Sequence, residues 1–237
     1  MGFSLAAYGV AIAGLALLGA AGPAHRLGLS LGTAFAIVRW AIYLSLAGAA
    51  LSAAAVFWSR RNERRGATVM ANLGLLLALL SAAFGFSWLR QAQAAPALYD
   101  VTTDLDNPPV FDTLATERPA GSHDLARTSE ADQLQRQHYP DLAPLILSAP
   151  PGLVFDRARV VADNQGWTVV TSDRDGGRLE ATDTTWWFGF TDDIVVRLTP
   201  WGTGTRVDVR SVARQGSTDT GTNARRIRRF LSALQEP

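Results

Sequence analysis

Hydrophobic residues form long unbroken blocks in the first part of the chain and short alternating runs in the last part. Residues 1–89 contain only six arginines and one glutamate among runs of Ala, Leu, Gly, Val and Phe. Beyond Arg90, charged residues become frequent and apolar residues recur with the periods of strands and surface helices. The pattern predicts a membrane-embedded part, residues 1–89, followed by a water-soluble part.

Three apolar stretches within residues 1–89 are long enough to cross a membrane as helices. An α-helix needs about 20 apolar residues to span a hydrocarbon core of about 30 Å. The predicted spans are residues 3–22, 40–58 and 67–88. Trp40, Trp58 and Trp88 stand at the ends of spans, where an amphipathic indole ring is favoured at the membrane interface. We therefore expect a three-helix transmembrane anchor.

The first stretch has an alternative interpretation as a cleaved signal peptide. Ala20, Ala21 and Gly22 resemble the small residues of a cleavage site. The positively charged segment that begins a signal peptide is missing before Phe3. A retained helix is favoured, and the other two helices keep the same predicted orientation in either case.

The loops between the predicted helices differ in positive charge. The loop at residues 59–65 contains four arginines, namely Arg60, Arg61, Arg64 and Arg65. The loop at residues 23–32 contains only one, Arg26. Because arginine-rich loops remain on the cytoplasmic side, we expect a cytoplasmic N-terminus and a C-terminal domain on the outer side. In a bacterial inner (cytoplasmic) membrane, that side is the periplasm.

Residues 90–143 lack any sustained hydrophobic period and are rich in Pro, Asp, Thr, Ala and Gln. We predict an extended connecting segment whose turns lie on the folded domain. Its acidic stretch, residues 100–109, lacks the glycine and the final glutamate of a calcium-binding loop. No metal site is therefore predicted. Residues 133–138 favour a short helix that ends before Pro140, because the residue before a proline disfavours the helical region.

Residues 144–237 combine short strand patterns with two amphipathic helix patterns. Strands are predicted at residues 145–147, 167–171, 178–185, 193–199 and 206–210. One helix is predicted to open at Pro150 and to end at Gly166, and another to begin after Asp219. The order β-α-β-β-β-β-α predicts an α+β domain in which two helices pack on one face of an antiparallel sheet.

Alternation in the two longest predicted strands gives this sheet one apolar and one polar face. The apolar positions of the first strand are Ile194, Val196 and Leu198. We expect the opposite face to be solvated and to carry cross-strand ion pairs, each contributing under about 1 kcal/mol. The residues expected in these pairs are Asp193, Arg197, Asp208 and Arg210. A polar binding face is the alternative.

Three stretches of the C-terminal part carry a resemblance to a known family. They are residues 100–111 (DVTTD followed by NPPVF), residues 187–193 (WFGFTDD) and residues 214–228 (RQGSTDTGTNARRIR). Together they resemble the bacterial family described as domain of unknown function 1499, over roughly residues 98–234. Thr218 stands where serine is expected. The resemblance implies a domain boundary and frequent membrane anchoring, and it implies no activity.

Several residues in these stretches are candidates for binding. In the aromatic run 186–190, alternation separates Trp187 from its aromatic neighbours, so that one face is core and the other a core or contact surface. Arg214 and Arg226 flank a helix start, where free amide groups favour anions, although Thr218 or Asp219 would serve equally as an ordinary N-cap. The full set of candidate binding residues is Trp187, Asp193, Arg197, Arg214, Asp219, Asn223 and Arg226.

Composition and motifs exclude several function classes. The absence of cysteine excludes disulfides and thiolate chemistry, and the net charge of +1 gives no electrostatic argument for nucleic acid. Adjacent Asp192 and Asp193 point to opposite faces of a strand and make a poor acid–base pair. No catalytic triad, phosphate-binding loop or zinc-ligand set can be assembled, so no catalytic residue, metal or cofactor is predicted.

The leading hypothesis is a non-catalytic, membrane-anchored envelope protein. Its outer domain would bind a protein partner or stabilise a membrane complex, and membrane lipids would surround its helices. One alternative is binding or sensing of a lipid or another hydrophobic ligand at the membrane surface. A second alternative is an envelope hydrolase.

Overall fold

The computed structural model of the chain describes residues 1–216 and 220–236. It divides into two compact units. The first, termed the helical unit, comprises Met1–Gln93 together with Trp187–Gly189. The second, termed the domain, comprises Ala94–Trp186 together with Phe190–Pro237.

Three long apolar helices form most of the helical unit. They are α1 (Gly2–Arg26), α2 (Leu31–Arg61) and α3 (Arg65–Ala94). Each is long and apolar enough to cross a membrane, which confirms the prediction of three apolar N-terminal helices. Each extends past its predicted span at both ends, because helical hydrogen bonding continues through polar flanking residues. The start of α2 is capped by Ser30, whose Oγ accepts from the Thr33 amide at 3.2 Å.

Small residues allow the helices to lie close together. A Cβ atom on Gly14 would lie 2.6 Å from Ser45 Oγ, and a Cβ atom on Gly48 would lie 3.1 Å from the backbone of Ala11. Glycine therefore permits backbone approach at these two points. Gly9, in contrast, has no neighbouring atom within 4 Å that an added Cβ would meet. Only some of the glycines in these helices thus contribute to helix contacts.

Two hydroxyl pairs join α2 to α3. Ser45 and Ser81 share a buried hydrogen bond of 3.0 Å. Ser59 and Thr68 share one of 2.8 Å near the turn between the helices. Interhelical hydrogen bonds of this kind hold membrane helices together in the absence of a hydrophobic driving force.

The domain is built on a six-stranded antiparallel sheet. Its strands are β1 (Asp100–Thr102), β2 (Leu145–Leu147), β3 (Thr168–Asp173), β4 (Arg178–Thr184), β5 (Thr191–Trp201) and β6 (Gly204–Ala213). The strand order is β1-β6-β5-β4-β3, and β2 also pairs with β6. Because β1 and β2 pair with different parts of β6, they lie end to end along the same edge.

Within the described residues, four helices complete the domain: α4 (Thr113–Glu117), α5 (Ser129–His138), α6 (Pro151–Asn164) and α7 (Thr222–Gln235). From β2 onward, the order is β-α-β-β-β-β-α, as predicted. Pro151 occupies the first turn of α6, where its missing N–H costs nothing. Gly166 follows the end of α6 with a φ of +78°, as a helix-terminating glycine requires. Thr218 and Asp219, the predicted caps of α7, lie outside the described residues.

One face of the sheet is covered by α6 and α7. Ile194, Val196 and Leu198 lie together in this core, as predicted, and each is at most 4% exposed. Phe155 from α6 and Phe230 from α7 pack in the same core. Complete burial of one such side chain contributes about 1.5–3 kcal/mol. The predicted class, an antiparallel α+β sheet with helices on one face, is confirmed.

The opposite face of the sheet is covered by residues 103–128, termed the strap. Phe111 and Leu114 of the strap form a small apolar cluster with Val195 and Val212 of the sheet. Val195 is only 1% exposed as a result. The expectation of a solvated polar face is therefore wrong, because an aperiodic segment supplies the apolar residues that close it.

Candidate functional site

The adjacent carboxylates of β5 point to opposite faces of the sheet. Asp192 lies on the face of α6 and α7, where Arg226 binds it, whereas Asp193 lies under the strap. Alternation along a strand separates neighbouring side chains in this way. The two residues therefore belong to two networks, termed the helix-side and the strap-side network, and they do not form an acid–base pair.

Arg226 of α7 is the centre of the helix-side network. Its Nη2 donates to Asp192 Oδ2 at 2.6 Å, and its Nε donates to Asp183 Oδ2 at 2.9 Å. Its Nη1 donates to Asn223 Oδ1 at 2.6 Å and to Ser211 Oγ at 3.0 Å. Arg226 is 5% exposed and Asn223 is fully buried. These contacts occupy the guanidinium with internal acceptors, which assigns it a structural role.

Asp193 is fully buried and is held by two arginines. Arg118 of the strap donates to Asp193 Oδ2 at 2.6 Å. Arg214, which follows β6, donates to Asp193 Oδ1 from Nε at 2.9 Å and from Nη2 at 2.7 Å. Burial lowers the pKa of the Arg118 guanidinium, and the charge of Asp193 opposes that effect. The carboxylate thus compensates two cations and is not open to a ligand.

Asp100 of β1 holds a second pair of arginines in the strap-side network. Arg210 donates to both of its carboxylate oxygens, at 3.0 and 2.7 Å. Arg127 of the strap lies 2.7 Å from Asp100 Oδ1. The guanidinium of Arg210 also lies 5.5 Å from the ring centre of Phe111. Asp100 and Arg210 are at most 4% exposed, so this ion pair is an internal part of the fold.

Arg197 and Asp208 form the cross-strand pair that alternation predicts, at 3.0 Å. Asp104 of the strap adds a second carboxylate, which lies 3.2 Å from Arg197 and 2.6 Å from Arg206. The hydrogen bonds that Arg206 donates to Asp208 are the main cause of a raised pKa of the Arg206 guanidinium. Four charges therefore alternate in sign where the strap crosses the end of the sheet.

Three of the four residues expected to pair on a solvated face are instead buried, and two of the four, Asp193 and Arg210, have other partners. Asp193, Asp208 and Arg210 are at most 2% exposed. Asp193 pairs with strap and loop arginines, and Arg210 pairs with Asp100. The expected contribution of under about 1 kcal/mol to stability holds for ion pairs at the surface. It does not apply to these groups, because the strap encloses them.

Arg214 and Arg226 do not form the common anion site that their spacing suggests. Arg214 binds Asp193 on the strap side, whereas Arg226 binds Asp192 on the helix side. The sheet separates the two guanidinium groups. The interpretation of a shared anion site is therefore wrong. Asp219, which the sequence offered as an ordinary N-cap instead, lies outside the described residues.

Glu180 is an organising residue that sequence reasoning missed. It is fully buried in β4, and its two carboxylate oxygens accept from the amides of Asp112 and Leu114, at 2.6 and 2.8 Å. A carboxylate at a helix start satisfies free amide groups and the helix dipole. Glu180 therefore caps α4 from the sheet. Its position between Leu179 and Ala181 is the signal that could have identified it, because alternation places Glu180 on the face opposite these two core residues.

Gln135 is a second residue that was missed. It is 1% exposed, its Oε1 accepts from the Thr102 amide at 3.1 Å, and its side-chain amide donates to the Thr102 carbonyl. The side chain thus completes the hydrogen bonding of β1 as a neighbouring strand would. No sequence pattern identifies this role.

Trp187 belongs to the helical unit. Its ring centre lies 5.4 Å from that of Phe84 and 5.3 Å from that of Trp88. Phe188 stacks on Trp88 at 5.0 Å and is 3% exposed. The predicted strand alternation at residues 186–190 is wrong, because residues 186–188 form a turn and Gly189 has a φ of +73°.

The other interface residues also lie in the helical unit. Trp58 lies edge-on to Phe3 at 6.5 Å, and Trp40 lies edge-on to Tyr43 at 5.8 Å. Trp40 is 66% exposed. The four arginines used to predict topology, Arg60, Arg61, Arg64 and Arg65, are exposed where α2 ends and α3 begins.

A small exposed patch lies where β5 turns into β6. Trp201 is 55% exposed, and the guanidinium of Arg206 lies 5.8 Å from its ring centre. Ile146 of β2 pairs in register with Arg206 and is 49% exposed. We term Ile146, Trp201 and Arg206 the hairpin patch. It combines an aromatic, an aliphatic and a guanidinium group at the surface.

In the part of the chain that the structure describes, no group of three His, Cys, Asp or Glu side chains is placed to hold a metal ion. A family model described as Protein of unknown function (DUF1499) matches residues 100–234. The match covers the domain and excludes the three long helices. A search of curated proteins found no match.

Proposed function

The chain belongs to the DUF1499 family, proteins of unknown function, and from this premise we propose that it is a non-catalytic, membrane-anchored protein whose domain binds a protein partner. The partner is a protein of the same envelope membrane or an attached complex, which the domain stabilises. The observation that carries the proposal is that buried aspartates in the matched region are bound to arginines.

Three buried carboxylates of the matched region have arginine partners inside the fold. Asp100, Asp192 and Asp193 each lie within 2.7 Å of a guanidinium nitrogen. A general acid or base needs access to a substrate proton. Buried carboxylates whose oxygens are bound to arginine lack that access. These contacts support a structural role for the charged motifs and give no support to the envelope hydrolase considered from the sequence.

The proposed location is a bacterial inner membrane, with the N-terminus in the cytoplasm and the domain in the periplasm. Three helices of sufficient length and apolarity support anchoring. The proposed orientation follows from the four arginines between α2 and α3, because positively charged loops stay in the cytoplasm.

The hairpin patch is the proposed contact surface for the partner. Trp and Arg are the residues most enriched among those that dominate binding energy, and such residues bind best when they are packed and desolvated by a partner. Trp201 and Ile146 are both about half exposed, and the permanently charged guanidinium of Arg206 lies 5.8 Å from the ring centre of Trp201.

The test is quantitative mass spectrometry on tagged full-length protein extracted in mild detergent. We expect a protein partner to co-purify with the wild type in stoichiometric amount. The Trp201→Ala variant should lose this partner, while its own melting temperature stays unchanged. Leu153→Ala is the matched control, because Leu153 is 56% exposed on α6. Absence of a stoichiometric protein, or equal loss from both variants, would contradict the proposal.

Binding of a lipid or another hydrophobic ligand is the second candidate function. It is favoured by Trp186, which is 80% exposed, since a large exposed apolar side chain marks a contact surface. Lipid analysis of the same preparation distinguishes the two functions. One lipid species retained per protein, and lost in Trp186→Ala, would favour this second function.

A further inference from the structure

The turn between α2 and α3 concentrates positive charge that the protein does not neutralise. Arg60, Arg61, Arg64 and Arg65 are all exposed. In the described residues, none of the four forms an ion pair with a carboxylate, although Glu63 lies among them. In the domain, by contrast, arginines such as Arg118, Arg210 and Arg226 are bound to aspartates. The turn therefore presents unsatisfied guanidinium groups to its surroundings.

The turn holds these groups on a well-defined backbone. The Arg64 amide donates to the Ser59 carbonyl at 2.9 Å, and the Glu63 amide donates to the Arg60 carbonyl at 3.1 Å. Glu63 adopts a φ of +54° to close the turn. Ser59 and Thr68 then join the two helices through their hydroxyl groups at 2.8 Å. The arginines thus extend from a short connection that backbone and side-chain hydrogen bonds close.

An aromatic pair lies directly beside the arginines. The guanidinium of Arg64 lies 5.0 Å from the ring centre of Trp58. Trp58 is 42% exposed and lies edge-on to Phe3 of α1. Tryptophan at the end of a membrane helix is favoured at the depth of the lipid headgroups. If the helices span a bilayer, Arg64 is therefore at the level of the lipid phosphates.

We propose that the α2–α3 turn binds the phosphate groups of anionic phospholipids through Arg60, Arg61, Arg64 and Arg65. This inference rests on the proposed membrane anchoring and is independent of what the domain binds. Guanidinium groups bind phosphate oxygens with two parallel hydrogen bonds, and clusters of basic residues next to a membrane helix attract anionic lipids. The aromatic pair places the cluster at the correct depth.

The test compares lipids retained by full-length protein made by cell-free synthesis in nanodiscs. The discs contain equal amounts of phosphatidylglycerol and phosphatidylcholine, and their two equivalent faces remove any effect of the arginines on insertion direction. Native mass spectrometry then counts the lipids that stay bound. We expect a several-fold excess of phosphatidylglycerol with the wild type and none with the variant in which Arg60, Arg61, Arg64 and Arg65 are replaced by Gln.

A second variant controls for the loss of four charges. Arg136, Arg174, Arg225 and Arg229 are exposed arginines of the domain, and their replacement by Gln should leave the phosphatidylglycerol excess unchanged. Equal loss in both variants would show a net-charge effect and overturn the proposed site. Equal lipid ratios with the wild type would also overturn it. Failure of the wild type to enter discs would instead refute the membrane anchoring, and this inference with it.

A last measurement separates a lipid from free phosphate. In lipid-free detergent, the melting temperature of the wild type should rise with added phosphatidylglycerol, and it should not rise with inorganic phosphate at the same concentration. The variant with Gln at the four turn positions should respond to neither. An equal rise with inorganic phosphate would overturn the assignment to phospholipid.

Discussion

Single arginine and aspartate side chains join the segments of the domain. Asp193 joins the strap to the loop after β6, and Asp100 joins β1 to β6 and the strap. Removing water from two charges costs about as much as their attraction returns, so such a pair adds little stability by itself. Loss of one partner, however, leaves the other charge buried and uncompensated. These residues therefore specify the arrangement of segments more than they add stability.

Asp193→Asn should destabilise the protein strongly. The change leaves Arg118 and Arg214 without their carboxylate in a buried site, and we expect the free energy of unfolding to fall by about 3–5 kcal/mol. This free energy of unfolding is measured by chemical unfolding of the full-length protein in detergent, with tryptophan fluorescence as the signal. Asp156→Asn is the control, because Asp156 pairs with Arg174 at the surface and its loss should leave the midpoint unchanged. Equal midpoints for both variants would contradict the structural role of Asp193.

The exposed pair of Asp141 and Arg228 should show a weak dependence on pH. The hydrogen bond from Arg228, at 2.6 Å, lowers the pKa of the Asp141 carboxyl. A lowered pKa stabilises the fold above the unfolded-state pKa, and that contribution disappears as the pH falls through the folded-state value. We expect wild type and Asp141→Asn to differ by under about 1 kcal/mol at pH 7. The difference should shrink below about pH 4, as unfolding curves at several pH values would show; a difference that grows in acid would contradict the assignment.

At the scale of elements, the strap depends on the sheet for its own helix. Because Glu180 accepts from the amides of Asp112 and Leu114, Glu180→Gln removes the charge at the start of α4. We expect hydrogen exchange at residues 111–117 to accelerate by about tenfold, which corresponds to a charged hydrogen bond of about 1.5–3 kcal/mol being weakened. Exchange in α7 should not change. Uniform acceleration across the domain would indicate global destabilisation instead.

Close contact between α1 and α2 should make Gly48 intolerant of a large side chain. A Cβ atom at Gly48 would lie 3.1 Å from Ala11, so Gly48→Leu must separate the helices. Overpacking of this kind costs about 1–3 kcal/mol. Gly9→Leu is the matched control on α1, since no atom lies within 4 Å of its Cβ position. Thermal unfolding in detergent by circular dichroism should show a lower midpoint for the first variant only.

The fold class followed from periodicity, because periodicity reports directly which side of an element is buried. Ile194, Val196 and Leu198 alternate and lie in the core. The hydrophobic residues of the strap do not recur at a regular period. The sequence therefore did not predict that the strap covers Val195. The prediction of strand alternation at residues 186–190 was wrong for a different reason. Aromatic residues favour strands, but here they lie in a turn.

The candidate site was only partly predictable. Sequence motifs identified some of the residues that form the networks, including Asp193, Arg214 and Arg226. They did not identify the partners, because Arg118 lies 75 positions from Asp193 in the chain and has no periodic context. Without the partners, buried ion pairs resemble an open binding face. The distinction depends on long-range contacts, which a local pattern does not contain.

At the scale of the whole molecule, the two units use arginine differently. Several arginines of the domain bind aspartates within the fold, as Arg226 binds Asp192. The helical unit has only Glu63 as an acidic residue in positions 1–89, and its turn arginines extend outward. Arginine therefore joins segments inside the domain. In the helical unit, under the proposed anchoring, the turn arginines contact the surface of the membrane.

The proposed orientation can be tested without removing any native residue, because the chain contains no cysteine. Gly66→Cys introduces a thiol next to the arginine turn, at a position with no atom within 4 Å of its Cβ. Ser172→Cys introduces one at an exposed position of β3. With a cytoplasmic turn and an outer domain, a membrane-impermeant maleimide should label the second variant in intact spheroplasts and the first only after lysis. Labelling in the reverse order would refute the proposed topology, because the positive-inside rule and three spans together allow only one arrangement.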